Sequence, residues 1–410
     1  MKISLIEFSV ENFKIFKNKV TLSLSTRKSE HSFEVNSESL LKTTLIYGAN
    51  ASGKTSVLDG FGFFRHWVIS SSDFTDESIV EIEPFLFSED SITKATSFEL
   101  VFSIDQEIFR YKFSVLRGKI TEESLYEILL SGGEKEHLIR DSGGIKVFNK
   151  LKTHVDVIEK TRENTLFLSA AAKWNNPLAL NIVRAIKEQM HVISGFCTHG
   201  AGRFTANLVR DQIEGKEKIL KFMKEADFCI DDIEVNEAEL VGRNKIVEGG
   251  LIRRTLKKPL EIFFSHKIFN SKGEDTGKSQ KISMENESIG TQQFFSHLGP
   301  IVNTLENGLV LFIDEFDNSL HPKLTKYIID LFEKYNPHNA QLIVTTHDTS
   351  LLGYKDEFIK DQFWFTDKDK LGAGKLFSMA EFDVRNDTEY SKKYLEGRFG
   401  ALPIVNSPEK

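Results

Sequence analysis

Eight consecutive residues, Gly48-Ala49-Asn50-Ala51-Ser52-Gly53-Lys54-Thr55, constrain this chain more than any other feature. They satisfy the pattern GxxxxGK[ST] in full. They stand between an apolar strand-like run, Thr43 to Tyr47, and a helix-like run from Gly53 to Phe64. Glycines let the backbone turn tightly, so that successive N–H groups point inward at phosphate oxygens. The helix that follows adds its positive N-terminal end. Lys54 can reach the β- and γ-phosphates as a point charge, and the Thr55 hydroxyl can ligate Mg²⁺. Ser56 is counted with the same nucleotide-binding set. The bland alternative is a chance glycine turn, which the full match between a strand and a helix disfavours.

A second constraint is Leu309-Val310-Leu311-Phe312-Ile313-Asp314-Glu315, an apolar strand that ends in two acids. Buried carboxylates are costly and need a reason. A magnesium-bound nucleotide supplies one. Asp314 would hold the metal, directly or through water, and Glu315 would orient and polarise the attacking water. Read alone, the two acids could simply begin a surface turn. His347, in Val344-Thr345-Thr346-His347-Asp348, follows another apolar strand and could hydrogen-bond a γ-phosphate. Glu287-Ser288-Ile289-Gly290-Thr291 precedes a helix. Ser288 is a natural N-cap there, and a helix start with exposed Ser288 and Gly290 is also an anion site. It could take the γ-phosphate of a nucleotide held by another subunit.

The remaining composition excludes more than it assigns. With 410 residues, 40% of them apolar, the chain can bury a sizeable core. A net charge of −7 gives no overall field that draws in nucleic acid. Cys197 and Cys229 have no CxxC partner and offer neither a disulfide framework nor a zinc site, so a reducing cytoplasm is the expected compartment. The first residues lack a signal-peptide core. No run approaches the roughly 18 apolar residues of a spanning helix, so no membrane contact is expected.

Along the chain, Ile3 to Val10 and Val20 to Leu24 alternate like strands. Ser97 to Ser103, Ile108 to Leu116 and Ser124 to Leu130 suggest an antiparallel sheet added to the nucleotide core, and Asp141 to Gly144 a hairpin turn. Leu178, Ile182, Ile186 and Met190 recur at helical spacing, as do Ile219, Phe222, Met223 and Ala226. Three stretches follow: 1–160, holding the glycine loop and the antiparallel β-subdomain; 161–232, an inserted helical lobe; and 233–410, holding the helix after Ser288, the paired acids and His347. Glu234 to Val241 and Leu260 to Phe269 read as strands, and Asn270 to Gln280 as an exposed, mobile loop. Ser288 to Glu306 and Lys323 to Tyr335 read as helices, with Gly308 a stop for the first. Gln341 to Thr345 is another buried strand. Buried strands alternating with helices predict an α/β fold with a mostly parallel nucleotide-binding sheet.

The order of these motifs resembles the head of ABC ATPases, including repair proteins of the SMC and RecF kind. Asn318-Ser319-Leu320-His321-Pro322 looks like the loop after the catalytic acids in that group. More narrowly, the chain is similar to the bacterial AAA15/AAA21-type ATPases of antiphage and abortive-infection operons. That likeness rests on Glu11-Asn12-Phe13-Lys14-Ile15-Phe16, on Leu166-Phe167-Leu168-Ser169, and on the tail Tyr394-Leu395-Glu396-Gly397-Arg398-Phe399-Gly400-Ala401-Leu402-Pro403. The resemblance implies hydrolysis of ATP with Mg²⁺, and Lys54, Glu315 and His347 as catalytic residues. It implies a homodimer that sandwiches two nucleotides head to tail, each between one glycine loop and the other copy's Ser288 and Gly290, and it leaves higher oligomers open. The implied role is a defence sensor or regulator that controls a separately encoded nuclease or toxin. The alternative is a RecF- or SMC-like ATPase that clamps DNA, which the acidic balance disfavours.

The sequence departs from that pattern in places. The signature is Ser-Ile-Gly-Thr rather than a double-glycine form. No metal-sensing glutamine is evident: Pro84 to Asp90 has none, and Gln106 sits in a hairpin turn. Arg253, Arg254, Lys257 and Lys258 form a basic cluster that reads as a solvated turn or as a contact for nucleic acid or a partner. Asp367-Lys368-Asp369 reads as a turn rather than a metal motif. Too little chain follows His347 for a fused TOPRIM nuclease.

Overall fold

The computed structural model describes residues 1–75, 78, 81–194, 198–226, 228–237, 259–354, 356–383 and 390–400. Its contacts divide the chain into two compact units. The first comprises Met1–Gly195, Thr304–Asp317 and Thr325–Lys410; the second comprises Phe196–Asn303 and Asn318–Leu324.

The centre of the first unit is a six-stranded sheet. Its strands are β1 (Thr43–Gly48), β2 (Met190–Ile193), β3 (Val310–Ile313), β4 (Gln341–Thr345), β5 (Phe363–Lys368) and β6 (Gly374–Ser378), in the spatial order β2-β3-β4-β1-β5-β6. The first five run parallel, and β6 returns antiparallel to β5. Both faces are covered, and β1, β3 and β4 are buried from end to end. Register sets Thr345 beside Ile46 and Thr366 beside Gly48. The ends of β1, β3, β4 and β5 therefore meet at the carboxyl edge, where parallel sheets hold ligands.

Helix α1 (Lys54–Ser70) leaves the glycine loop and buries its apolar side between this sheet and a second one. Phe61 stacks on Phe312 of β3 at 4.2 Å and meets Phe8 edge-on at 5.4 Å. Phe64 stacks on Phe113 at 5.4 Å. Each such aromatic contributes about 1.5–3 kcal/mol by burial, which anchors the start of α1 and so the loop before it. The second sheet is antiparallel. Its seven strands run in the order Gly144–Val147, Glu134–Asp141, Lys119–Ile128, Glu107–Leu116, Thr96–Ile104, Ile3–Glu11 and Val20–Ser23.

Two sequence expectations meet a different outcome here. Met190 continues the helical spacing of Leu178, Ile182 and Ile186, but the helix Pro177–Gln189 stops before it, and Met190–Ile193 pairs with Val310–Ile313. The helices Phe167–Lys173 and Pro177–Gln189 join the core around α1 through Phe167, Leu168, Ile182 and Ile186, so the contacts place residues 161–195 with the first unit rather than in a separate lobe at 161–232. Strand β5 has no counterpart among the sequence expectations. Only its end, Asp367-Lys368-Asp369, reads from sequence, as a turn. Asp369 does hold that turn, accepting the N–H groups of Leu371 and Ala373 at 2.8 and 2.9 Å.

The second unit holds the helices Thr198–Asp211 and Ile213–Glu225 and a three-stranded antiparallel sheet, Ile230–Glu237, Leu260–Phe269 and Asp275–Ser283. It also holds most of helix α2 (Ile289–Asn307). Asn270 to Gln280 is therefore not one long loop. It is a tight turn followed by a strand, with Lys267 opposite Ser279 and Ile268 opposite Lys278. That strand is solvent-exposed and polar for most of its length, so it lacks the alternation that marks strands. The expected strand to Val241 is seen as far as Glu237. Its remainder, the cluster Arg253, Arg254, Lys257 and Lys258, and the tail residues Ala401-Leu402-Pro403 lie outside the described residues.

Helix α2 stops at Gly308, whose φ is 63°; a Cβ there would lie 2.3 Å from the His338 carbonyl oxygen. Helix α3 (Pro322–Lys334) lies between β3 and β4 in the chain.

Candidate nucleotide site

The glycine loop leaves β1 through two constraints on its backbone. A Cβ at Gly48 would fall 2.2 Å from Thr366 Oγ1 and 2.4 Å from Ser52 Oγ, so no side chain fits. Gly53 has φ 114°, a region L-residues avoid, and Ala51 is also left-handed at 58°. The loop curls over an open cleft of about 530 Å³ lined by Asn50, Ala51, Gly53, Lys54, Thr55 and Ser56 on one side, and by Glu315 and His347 on another. Lys14, Ile15 and Glu83 complete its wall. Every one of these residues belongs to the first unit.

Lys54 is buried. Its ammonium donates to the Gly48 carbonyl at 2.7 Å and the Ala49 carbonyl at 3.2 Å. Burial lowers its pKa, opposed by Asp314, Asp317 and Glu315. The cation is thus held at the phosphate cradle by carbonyls that a phosphate could replace. Ser52 is turned the other way. Its hydroxyl points into the sheet, 2.5 Å from Thr366 Oγ1, while its N–H stays in the loop and donates to Ala49 at 3.2 Å.

Of the paired acids that follow β3, Glu315 lines the cleft. Asp314 is nearly buried and accepts the Thr345 hydroxyl at 2.5 Å. Thr345 Oγ1 in turn accepts the Glu315 N–H at 2.7 Å. One hydroxyl at the end of β4 therefore fixes both acids. Glu315 sits at φ 49°, a costly backbone for this residue type that turns its side chain into the cleft. Its neighbour Asp317 accepts the His347 N–H at 3.0 and 3.2 Å, tying the loop after β3 to the loop after β4. Burial pushes the His347 imidazole down, Lys54 adds to that, and Asp317, Glu315 and Asp314 pull it back up.

The donor set fits Mg²⁺. Thr55 and Asp314 offer hard oxygen donors, and no group of three or more His, Cys, Asp or Glu residues able to hold a metal occurs among the described residues. Hard oxygens of this kind are what a small cation shares with substrate phosphates.

Ser288 and Gly290 belong to the second unit and are described there. Ser288 caps α2, accepting the Thr291 N–H at 3.1 Å. A Cβ at Gly290 would lie 2.9 Å from the Ser319 carbonyl oxygen, so the helix start packs closely on the Asn318–Leu320 stretch.

Sequence reasoning passed over Thr345, Asp317, Glu83 and Thr366. Thr345 lies inside the stretch that leads to His347 and Asp317 two residues after the paired acids, and their polarity beside apolar strands is a usable signal. Glu83 lines the cleft just before Pro84 to Asp90, which holds no glutamine, and Gln106 does sit in the turn between Thr96–Ile104 and Glu107–Leu116.

No curated protein matches this sequence. The solved structures similar to it include three SMC heads. One is an SMC head bound to the C-terminal winged-helix domain of ScpA, at 13% identity and TM-score 0.47, covering 91% of this chain and 97% of that one. Another is the SMC head domain from Thermotoga maritima, at 12% identity and TM-score 0.41, covering 94% and 100%. The third is the Pyrococcus furiosus SMC head with an extended coiled coil, bound to the C-terminal domain of ScpA, at 13% identity and TM-score 0.44, covering 97% and 100%. Residues 43–176 and 200–353, which carry the glycine loop, the paired acids and His347, match one family over well more than half the chain: the protein belongs to the AAA_21 family, described as "AAA domain, putative AbiEii toxin, Type IV TA system".

Proposed function

We propose that this protein is an ABC-type ATP switch that binds ATP with Mg²⁺, hydrolyses it, and closes two copies head to tail while the γ-phosphate is present. The observation that carries this reading is the single cleft lined by Lys54, Thr55, Glu315 and His347, with Asp314 beside Glu315 and hydrogen-bonded to the same Thr345. Bound Mg²⁺ would supply charge neutralisation at the phosphates, with Thr55 and Asp314 holding it.

The chain's own groups do the rest. Lys54 exchanges its two carbonyl partners for phosphate oxygens. Glu315 accepts a hydrogen bond from the attacking water, orients it, and takes its proton. His347, whose imidazole burial and Lys54 push toward the neutral form, donates an N–H to the γ-phosphate. In the closed dimer, Ser288 and Gly290 of each copy present the start of α2 to the other copy's nucleotide.

The biological reading is a cytoplasmic defence regulator that holds and releases a separately encoded nuclease or toxin. It is supported by family membership and by switch chemistry that depends on one phosphate. The test uses tagged Glu315→Gln protein with ATP and Mg²⁺, sized in solution and captured under native conditions. An ATP-dependent dimer carrying a stoichiometric protein partner supports the regulator. Nucleic acid that survives moderate salt, without such a partner, favours a DNA-clamping ATPase instead. A protein that stays monomeric with ATP refutes the switch.

A further inference from the structure

The hydroxyls of Ser52 and Thr366 are both shut off from solvent, lie 2.5 Å apart, and come from segments more than three hundred residues apart in sequence. Thr366 Oγ1 also donates to the Tyr47 carbonyl at 3.3 Å, and Tyr47 is the residue before Gly48. The two contacts therefore link Ser52, Thr366 and the end of β1 in one chain. This pair occupies the space that a Cβ at Gly48 would need, so the glycine requirement at Gly48 and the hydroxyl pair are two sides of one arrangement. Neither hydroxyl faces the cleft, but Ser52 sits between Ala51 and Gly53, which do.

We propose that Thr366 is a positioning residue for the nucleotide: through Ser52 it pins the glycine loop to strand β5 and so sets the inward aim of the loop's N–H groups. The loop carries two left-handed residues, Ala51 and Gly53, and a strained turn holds its shape only when its surroundings over-determine it. Lys54 donates only to the loop's own carbonyls, whereas the Ser52–Thr366 bond fastens a loop side chain to a neighbouring strand.

This inference rests on the ATP-binding reading, and the experiment separates the two. Full-length protein is titrated with a fluorescent N-methylanthraniloyl ATP and Mg²⁺, as wild type, Lys54→Ala, Thr366→Val, Thr366→Ser, Ser52→Ala and the double Ser52→Ala/Thr366→Val variant. Thr366→Val keeps the shape and removes the hydroxyl. It should weaken nucleotide binding about tenfold, as expected for one lost buried hydrogen bond. Ser52→Ala should lose a similar amount from the other side, which keeps the test alive if Thr366→Val folds poorly. The double variant should lose no more than either single one, and Thr366→Ser should bind within about twofold of wild type.

Wild-type protein that fails to bind the probe, or a Lys54→Ala variant that binds it equally well, overturns the ATP-binding reading itself. Wild-type binding with normal binding by Thr366→Val overturns only the role of Thr366. Additive losses, or a Thr366→Ser variant as weak as Thr366→Val, overturn it too, because the loss would then come from packing rather than from the shared hydroxyl bond.

Discussion

Glu123 and Asp314 are both carboxylates withdrawn from solvent in the first unit, and they are held in opposite ways. Glu123, in the antiparallel sheet, is fully buried and surrounded by donors. It accepts the Phe167 and Leu168 N–H groups at 2.7 and 2.9 Å and the Tyr111 hydroxyl at 2.7 Å, with Arg140 at 3.7 Å. Burial still pushes its carboxyl up, against the pull of Arg140 and those hydrogen bonds. Asp314, at the carboxyl edge of the parallel sheet, accepts one hydroxyl, from Thr345. A carboxylate with all its partners inside the protein is a structural joint, and here it seats the Leu166-Phe167-Leu168-Ser169 stretch on the sheet. A carboxylate with capacity to spare, next to a strained Glu315, has acceptor sites left for the ligand proposed above.

The largest effect that sharpens this contrast is at Glu315. Glu315→Gln removes the proposed proton acceptor and keeps the shape, so on that proposal ATP turnover should fall at least about a hundredfold, within the usual range for a general base. The melting temperature should hardly move. Steady-state phosphate release beside a thermal melt reads both, and normal turnover would remove Glu315 from the chemistry.

The mirror image is Glu123→Ala, which leaves the Tyr111 hydroxyl and two backbone N–H groups without their acceptor in the core and removes the carboxylate beside Arg140. It should cost about 3–5 kcal/mol of stability, seen as an early denaturant midpoint. Any remaining folded protein should turn over ATP at the wild-type rate. If instead turnover collapses while stability holds, Glu123 is not merely a joint.

A buried base carries the comparison into the second unit. His297 is shut inside and its pKa is driven down to about 4 by burial. A depressed folded value means its contribution is complete above the unfolded value, near 6.5, and is lost as pH falls from there through about 4. The whole span amounts to roughly 3 kcal/mol. Unfolding curves between pH 7 and pH 4 should therefore decline more steeply for wild type than for His297→Gln. Parallel curves would mean that His297 titrates alike in both states.

What could be read in advance follows the same division. The glycine loop, Leu309 to Glu315 and Gln341 to His347 are local patterns: an apolar run sets the strand, and the polar residue at its end marks the edge. Thr366 was not legible, because its role depends on which strand lies beside β1, and that is a long-range fact of the sheet. Met190 was misplaced because the helical spacing runs one residue past the helix. The polar strand Asp275–Ser283 escaped because pairing, not hydrophobic alternation, makes it a strand. Glu123 looked like any charged strand residue until the Phe167 and Leu168 N–H groups were placed over it.

The smallest and most discriminating change is Thr345→Val. Thr345 is fully buried, and its single hydroxyl donates to Asp314 and accepts from the Glu315 N–H. Valine keeps the volume and leaves that N–H without its partner and Asp314 without its donor. The cost of such unmade bonds is about 1–3 kcal/mol, which could appear as lost stability or as a slower reaction. If Asp314 is poised for a ligand, the loss should appear mainly as turnover reduced by roughly ten- to a hundredfold, with the melting temperature nearly unchanged and Thr345→Ser restoring most of the rate. If Thr345→Val melts early and still turns over normally, Asp314 belongs with Glu123 as a structural acid, and the contrast between the two carboxylates fails.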